Sequence, residues 1–336
     1  MSKEHRVLTG ITTTGVPHLG NLLGAVLPAI KASEEEDTTS FLFLADYHSL
    51  IKSSDSELRH KSSFDIAACW LACGLDPKKV IFYRQSDIPH IFELAWILSC
   101  LASKGLLNRA HAYKAATTDN ETNKTKDIDK GINMGLFNYP ILMAADILMF
   151  KADSVPVGQD QKQHIEMTRD IALKFNHHYG DILTPPEAII DEHTGVLPGI
   201  DGRKMSKSYN NTIPVFSEEE ALQKLIMKIK TNSLEPGQPK DSLDCNIFNI
   251  YKAISTKEKV NDLQKLYEEG IAWGDAKKVL FEELYSFLRP FNDEYNKIIK
   301  DKPFVEKTLI EGSEKALSIS EPIIREVRQA IGIKGF

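Results

Sequence analysis

Residues 6–25 read RVLTGITTTGVPHLGNLLGA. The stretch opens on a short apolar run at Val7-Leu8 and turns through Gly10, Thr12, Thr13, Thr14, Gly15 and Pro17. It then takes up helical spacing with Leu19, Leu22, Leu23, Val26 and Leu27. A strand, a polar glycine-bearing turn and a helix form a local arrangement that holds phosphate. The helix start offers unpaired N–H groups and a partial positive charge, and glycine lets a ligand come close to the backbone. Three consecutive hydroxyls add donors. Gly10, Gly15 and Gly20 make neither G-x-x-x-x-G-K-[ST] nor G-x-G-x-x-G, so the turn belongs to neither common phosphate loop.

Outward from this stretch the first half alternates. Ser40 to Ala45 is a continuous apolar run ending at Asp46, as in a central strand of a parallel sheet. Ser54 to Gly74 predicts a helix with Leu58, Phe64, Ala67, Ala68 and Leu71 on one side, capped by Ser54 or Asp55 and ended by Gly74. Val80 to Tyr83 predicts a strand and Ile91 to Leu101 a helix. The expected fold class is α/β, a Rossmann-like doubly wound parallel sheet, followed by an all-α C-terminal part. Ligands of such sheets sit at the carboxyl ends of the strands, which puts Thr12 to His18 and Asp46 to His48 on one rim.

Thr117 to Lys130 is polar without periodicity and predicts an exposed loop. Tyr139 to Phe150 returns to a strongly apolar helix with one carboxylate, Asp146. Either Asp146 faces water from a half-buried helix, or it accepts a hydrogen bond in a pocket, because a carboxylate among apolar neighbours is costly unless paired. Tyr139, Met143 and Asp146 share one helix face. Ser154 to Gly158 predicts a short strand running into Gln159-Asp160-Gln161, which opens a helix over Lys162 to Phe175. This is a second strand–glycine–helix corner on the rim. His164, His177 and His178 have no carboxylate at metal spacing and read as surface residues. From about Ser217 the chain is helical by periodicity over Ala221 to Ile229, Leu243 to Ile254, Thr256 to Glu269, Ala276 to Ile299 and Pro303 to Ile331, with a Pro/Gly loop from Leu234 to Asp241.

Composition sets the frame. The 336 residues suggest about two domains at ~150 residues each, and 42% hydrophobic with 26% charged residues supply a core of ordinary size. No apolar run approaches the roughly 20 residues that span a membrane. Met1 to His5 lacks a signal peptide's hydrophobic region, so a cytoplasmic protein without a membrane partner is expected. Cys69, Cys73, Cys100 and Cys245 are too few and scattered for a disulfide framework; Cys69 and Cys73 read as buried thiols on one helix. A net charge of −6 argues against nonspecific coating of nucleic acid but leaves room for an RNA partner on a basic face. Lys224, Lys228, Lys230, Lys297, Lys300, Lys302, Lys307, Arg325 and Arg328 could form one, and each reads equally well as a solvated helix position.

Gly202 to Ser208 read GRKMSKS. Two lysines with hydroxyl neighbours and flanking Gly199 and Gly202 make a cationic loop that can follow a triphosphate as charge moves onto its leaving group. A solvated lysine turn is the plainer alternative for such a pentamer, and it loses weight beside the phosphate-type turn upstream. His18-Leu19-Gly20-Asn21 resembles the HIGH signature of class I aminoacyl-tRNA synthetases, with asparagine in the place of the second histidine, and Lys204 to Ser208 spell the second signature, KMSKS, unchanged. The resemblance narrows at Met143 to Leu148 (MAADIL) and Val155 to Glu166 (VPVGQDQKQHIE), which are similar to the tryptophanyl-tRNA synthetase family over nearly the whole chain. The near relatives, tyrosyl-tRNA synthetases, usually carry a glutamine ahead of the corresponding helix aspartate.

This resemblance implies a class I catalytic domain over 1–212, with a helical insertion at about 103–150, and an α-helical anticodon-binding domain over 213–336. It implies a homodimer that activates L-tryptophan with ATP and passes the adenylate's tryptophanyl group to the 2′-OH of the terminal adenosine of tRNA(Trp). Asp146 would accept the indole N–H, a group that only donates, and a pocket that left this carboxylate unpaired would reject Phe. Met143 and Val155 would pack on the indole; Gly10, His48 and Val157 would line the pocket; Tyr139 and Gln161 would hold the α-ammonium. Thr12, Thr13, Thr14, Gly20 and Asn21 match the ATP-contacting loop, Gly158, Gln159 and Asp160 the adenosine corner, and Val196 a backbone contact to adenine. Lys204, Met205, Ser206, Lys207 and Ser208 match the phosphate loop, with His18, Lys204 and Lys207 as the catalytic groups. Many bacterial members carry Gln-Pro-Ser where Thr12-Thr13-Thr14 stand. Mg²⁺ is expected to ride on the ATP phosphates, with no protein metal site. Two other readings stay open: a nucleotidyl transferase that adenylylates a small molecule without tRNA, and a synthetase-like protein that binds RNA without catalysis.

Overall fold

The computed structural model describes residues 5–13, 15–35, 37–51, 54–190, 197–243 and 245–333. Five parallel strands stand in the order β3-β2-β1-β4-β5, comprising β1 (His5–Thr12), β2 (Thr38–Ala45), β3 (Val80–Arg84), β4 (Ser154–Pro156) and β5 (Glu187–Ile189). β1 and β2 pair in register from His5 opposite Thr38 to Thr12 opposite Ala45, so the two carboxyl ends finish level. The expected doubly wound sheet is present. Strand order reverses beside β1, which has β2 on one side and β4 on the other, and this opens a crevice at the carboxyl ends. The edge strand β5 was not legible, because its three residues follow two prolines and carry no apolar run.

The helix after β1 runs over 19–32. It begins as Leu19–Asn21, widens to a π-turn over Leu22–Val26 and ends as Leu27–Ala32. His18 caps it: the ring accepts the Asn21 N–H, and the Asn21 side chain takes the His18 N–H in return. The Ser56–Ala72 helix is capped by Asp55, which accepts the Leu58 N–H at 2.9 Å, and it ends ahead of Gly74 at φ +101°. Cys69 and Cys73 are buried on it, but Leu58 is 55% exposed and not on the buried side, because the core-facing stripe begins only at Ser62.

The expected loop at Thr117 to Lys130 is half helix, since His111–Thr122 is helical. Tyr113 buries against Phe137, and the polar residues occupy the solvent face, where periodicity in the apolar pattern is invisible. Asn120 Nδ2 then bonds the carbonyls of Ile128 and Lys130 and folds the remainder back. The Met134–Leu148 helix begins earlier than expected, with Asn133 accepting the Leu136 N–H at 2.8 Å.

The C-terminal helices are Glu219–Ile226, Asn246–Ile254, Lys257–Glu268, Trp273–Ile298 and Lys302–Ala330. One apolar cluster runs from Leu42, Leu44 and Phe82 in the sheet through the Ser56–Ala72 helix to Leu280, Leu284 and Leu309. The last helix returns to β3. Gly312 lies against the Phe82 backbone so closely that a Cβ would overlap the Phe82 carbonyl. Arg84 makes a two-pronged pair with Glu306 at 2.9 and 3.0 Å, and Ser313 donates to Asp87 at 2.8 Å. Among the described residues no helix is long and apolar enough to cross a membrane.

Candidate active site

Two cavities meet at the crevice. The larger, about 560 Å³, reaches from the ends of β1, β2 and β4 to the 134–148 helix. All eight residues expected to hold the amino acid border it: Asp146, Tyr139, Met143 and Gln161, with Gly10, His48, Val155 and Val157 from the sheet side. Gly10 has no side chain because the Phe43 ring fills that space, 3.0 Å from where a Cβ would stand.

Asp146 is fully buried, which removes the surface alternative. His48 Nε2 donates to its Oδ2 at 2.8 Å, and Gln85 Nε2 donates to its Oδ1 at 2.7 Å. Burial raises its pKa, while the His48 and Gln85 hydrogen bonds pull it back down. Gln85 was missed: a glutamine after a strand, ahead of Ser-Asp, reads as a turn residue. It is fully buried, and its Oε1 accepts the Tyr47 N–H at 3.2 Å, which leaves its amide N–H groups for the carboxylate. Among the described residues the Tyr83 hydroxyl, near Asp146, and the Thr13 hydroxyl, on the cavity wall, are buried with no hydrogen-bond partner.

His164 corrects a sequence expectation. It is 2% exposed and not at the surface, because it falls on the same inward face of the Lys162–Tyr179 helix as Thr168 and Ile171. A histidine is tolerated there because Tyr139 and Gln161 satisfy both ring nitrogens. His177 and His178 are exposed as expected.

The smaller cavity, about 330 Å³, is lined by Thr12, Gly15, His18, Asn21, Ser206 and Lys207 among others, and it shares Gly10 and Thr12 with the larger one. The Lys204–Ser208 loop lies over the first turn. Lys207 Nζ donates to the Gly15 carbonyl at 3.0 Å, Gly20 N–H points at Met205 Sδ at 3.4 Å, and Leu19 N–H donates to the Ile213 carbonyl at 2.8 Å. Met205 is buried as a packing anchor; Lys204 and Ser208 are exposed outside both cavities. Gly158 borders the larger cavity, whereas Gln159 and Asp160 are exposed at its edge. Thr14 and Val196 lie outside the described residues.

Asn211, which nothing in the sequence singled out, organises this loop from a buried position. It accepts the Ser206 N–H at 2.8 Å and donates to Asp201 at 2.7 Å and to the Lys204 carbonyl at 3.1 Å. The Asn211 amide, with Arg203, holds Asp201 down to about 2. Burial and then the charge of Lys207 hold His18 down to about 4, so its ring is neutral at pH 7. Its Nδ1 accepts the Asn21 N–H, so the proton sits on Nε2 and is available to the cavity. Burial also lowers the pKa of Lys207. Among the described residues no group of three His, Cys, Asp or Glu side chains could hold a metal ion.

An apolar cavity with a fixed carboxylate, joined at one strand end to a cleft of helix N-terminus, hydroxyls and lysine loop, is built to bring a small acid onto a nucleotide phosphate. The family described as tRNA synthetases class I (W and Y) matches residues 1–289, and this chain is a class I tRNA synthetase. It is 52% identical over 334 residues to the tryptophan–tRNA ligase of Neisseria meningitidis, covering 99% of each chain, and 51% identical to that of Pseudomonas putida, covering 98% of this chain and 74% of the relative. It is similar, with TM-score 0.88, 41% identity and coverage of 97% and 99%, to the crystal structure of Campylobacter jejuni tryptophanyl-tRNA synthetase complexed with ADP and tryptophan. Within the class it therefore belongs to the tryptophan–tRNA ligase family.

Proposed function

We propose that this chain activates L-tryptophan with ATP and transfers the tryptophanyl group from the adenylate to the 2′-OH of the 3′-terminal adenosine of tRNA(Trp). The observation that carries the reading is Asp146. A fully buried carboxylate, held between two donors, is the complement of an indole N–H, which can only donate. Met143 and Val155 supply the apolar walls on which the indole packs, and Tyr139 and Gln161 lie where the α-ammonium binds.

The tryptophan carboxylate attacks the α-phosphorus of ATP. The new O–P bond forms as the bond from that phosphorus to the β-bridging oxygen breaks, and pyrophosphate leaves with the electron pair. No proton need move, so the work is positioning and charge stabilisation. Gly10 and Thr12, shared by both cavities, mark the seam where the two substrates meet. His18 donates from Nε2 as a neutral ring, and Lys204 and Lys207 follow the charge onto the leaving group. Mg²⁺ enters with ATP as part of the substrate. The Campylobacter protein's complex with ADP and tryptophan supports both ligand assignments.

In this reading 1–212 is the catalytic domain and the helices of 213–336 receive the anticodon arm. The active form is a cytoplasmic homodimer. The Pro89–Leu101 helix supports it with an apolar outer surface, where Trp96 is 73% exposed and Phe92 packs at a tilt against Tyr47, the ring centroids 4.3 Å apart.

Amino-acid-dependent ATP–pyrophosphate exchange, run with each standard amino acid and no tRNA, tests the proposal. Exchange with tryptophan alone is expected. Exchange with tyrosine would overturn the role given to Asp146, and silence with every amino acid would overturn the enzymatic reading.

A further inference from the structure

His164 touches neither cavity, yet it joins two residues that border the larger one. Its Nδ1 is 2.9 Å from Gln161 Oε1, and its Nε2 meets the Tyr139 hydroxyl. The direction of every proton along this line follows from its far end. The Asp160 carboxylate only accepts, so Gln161 turns its amide Nε2 toward it, at 3.1 Å. Gln161 therefore presents Oε1 to the ring, and Nδ1 is the protonated nitrogen that donates. In a neutral imidazole the other nitrogen is then bare, and the Tyr139 O–H donates to it.

Tyr139 and Gln161 are thereby left in the same condition. Tyr139 has turned its only side-chain proton away from the cavity, and its oxygen keeps lone pairs for a donor. Gln161 Oε1 has room for a second donor beside the imidazole N–H. We propose that His164 is a positioning residue that fixes Tyr139 and Gln161 as acceptors for the α-ammonium of the amino acid. The inference rests on the reading of this cavity as the tryptophan site.

The surroundings favour the neutral ring that the scheme needs. Burial lowers the His164 pKa, the neighbouring His111 lowers it further, and Asp160 opposes them. Tyr139 faces the ring edge-on at 5.0 Å between centroids, which holds the imidazole plane in line with both partners. A doubly protonated ring would donate from both nitrogens. Tyr139 would then have to accept from it and send its own proton into the cavity, against the ammonium.

Calorimetric titration with three ligands separates this role from a structural one. Tryptophan and tryptamine carry the ammonium; indole-3-propionate keeps the indole and lacks it. The His164→Leu variant should bind tryptophan and tryptamine about tenfold more weakly and indole-3-propionate within about twofold of the native chain. His164→Gln, whose side-chain carbonyl can still accept from Tyr139, should recover part of the loss. If His164→Leu does not fold, combining His164→Gln with Tyr139→Phe keeps the question answerable, because the two effects on tryptophan binding should then be non-additive. Equal losses for all three ligands, no loss for any, or strictly additive effects would overturn the inference. A native chain that bound none of the three ligands would instead overturn the reading of the cavity, and the inference with it.

Discussion

The cavity around Asp146 and the cleft under the Lys204–Ser208 loop share Gly10 and Thr12, but they are held together by different means. On the cavity side Asp146, Gln85 and His164 are buried, and each is bonded to a neighbour from another element or turn. On the cleft side Lys204 and Lys207 are exposed, Lys207 partly screened from water, and the loop hangs on one buried asparagine and a few contacts to the first turn. The difference matches two tasks. Choosing an apolar ring by its single N–H requires acceptors that cannot turn into donors, in a place where water does not compete. Following charge onto a leaving pyrophosphate requires long cations that can move with it. Damage on the cavity side should therefore appear in amino-acid selection, and damage on the cleft side in the rate of the chemical step.

The largest effect is expected from Asp146→Asn. The Gln85 amide is fixed by Tyr47 and donates to one carboxylate oxygen, and His48 donates to the other. An asparagine would turn its NH₂ toward one of those donors, and the indole would be left with a single neutral amide oxygen, already bonded to the other donor, in place of a carboxylate. The kcat/KM for tryptophan in pyrophosphate exchange should fall on the order of 10²–10³-fold, with the KM for ATP changed by less than about twofold. Equal losses toward both substrates would break the division between the two sides. Next comes Lys207→Ala, which removes a cation from the cleft and its contact to Gly15. Single-turnover adenylation should slow by about 10²-fold while equilibrium tryptophan affinity stays within about twofold.

The two sides also differed in how far the sequence disclosed them. The cleft is built from short contiguous segments, His18 to Asn21 and Lys204 to Ser208, so its chemistry is written in consecutive letters. The cavity is assembled from distant positions. Asp146 was visible because a charge in an apolar helix is conspicuous, and the resemblance supplied its neighbours. Gln85 and His164 were not, because each sits in a locally ordinary setting and gains its role only from partners 61 and 25 residues away. The parallel sheet was legible from apolar runs at β1, β2 and β3, whereas β5 is too short to leave a pattern. Helix periods in the C-terminal part were readable, but nothing in them foretold that Gly312 would press against the backbone of β3.

A smaller effect is expected at Asn211. Its side chain ties Ser206 N–H, Asp201 and the Lys204 carbonyl into one turn, so Asn211→Ala should loosen the loop without removing either lysine. Adenylation should slow by about tenfold, less than for Lys207→Ala, with tryptophan affinity unchanged. A loss as large as that of Lys207→Ala would mean that loop shape, more than lysine charge, governs the cleft.

The smallest effect concerns pH, and here the cleft carries a buried group of its own. The His18 pKa is lowered to about 4, from an ordinary value of 6.5. The native chain therefore keeps His18 neutral while the unfolded chain takes up a proton as pH falls past 6.5, so the stability tied to this ring is present above 6.5 and lost as pH falls toward 4. Between pH 7 and 5 the melting temperature of the native protein should fall by a few degrees more than that of His18→Gln, which has nothing to titrate there. Over the same interval the His18 ring signals, followed by NMR, should stay those of the neutral form. A ring that titrated near 6.5 would mean that burial and Lys207 do not hold it neutral, and that below that pH Nε2 would meet the nucleotide as part of an imidazolium in place of a neutral donor.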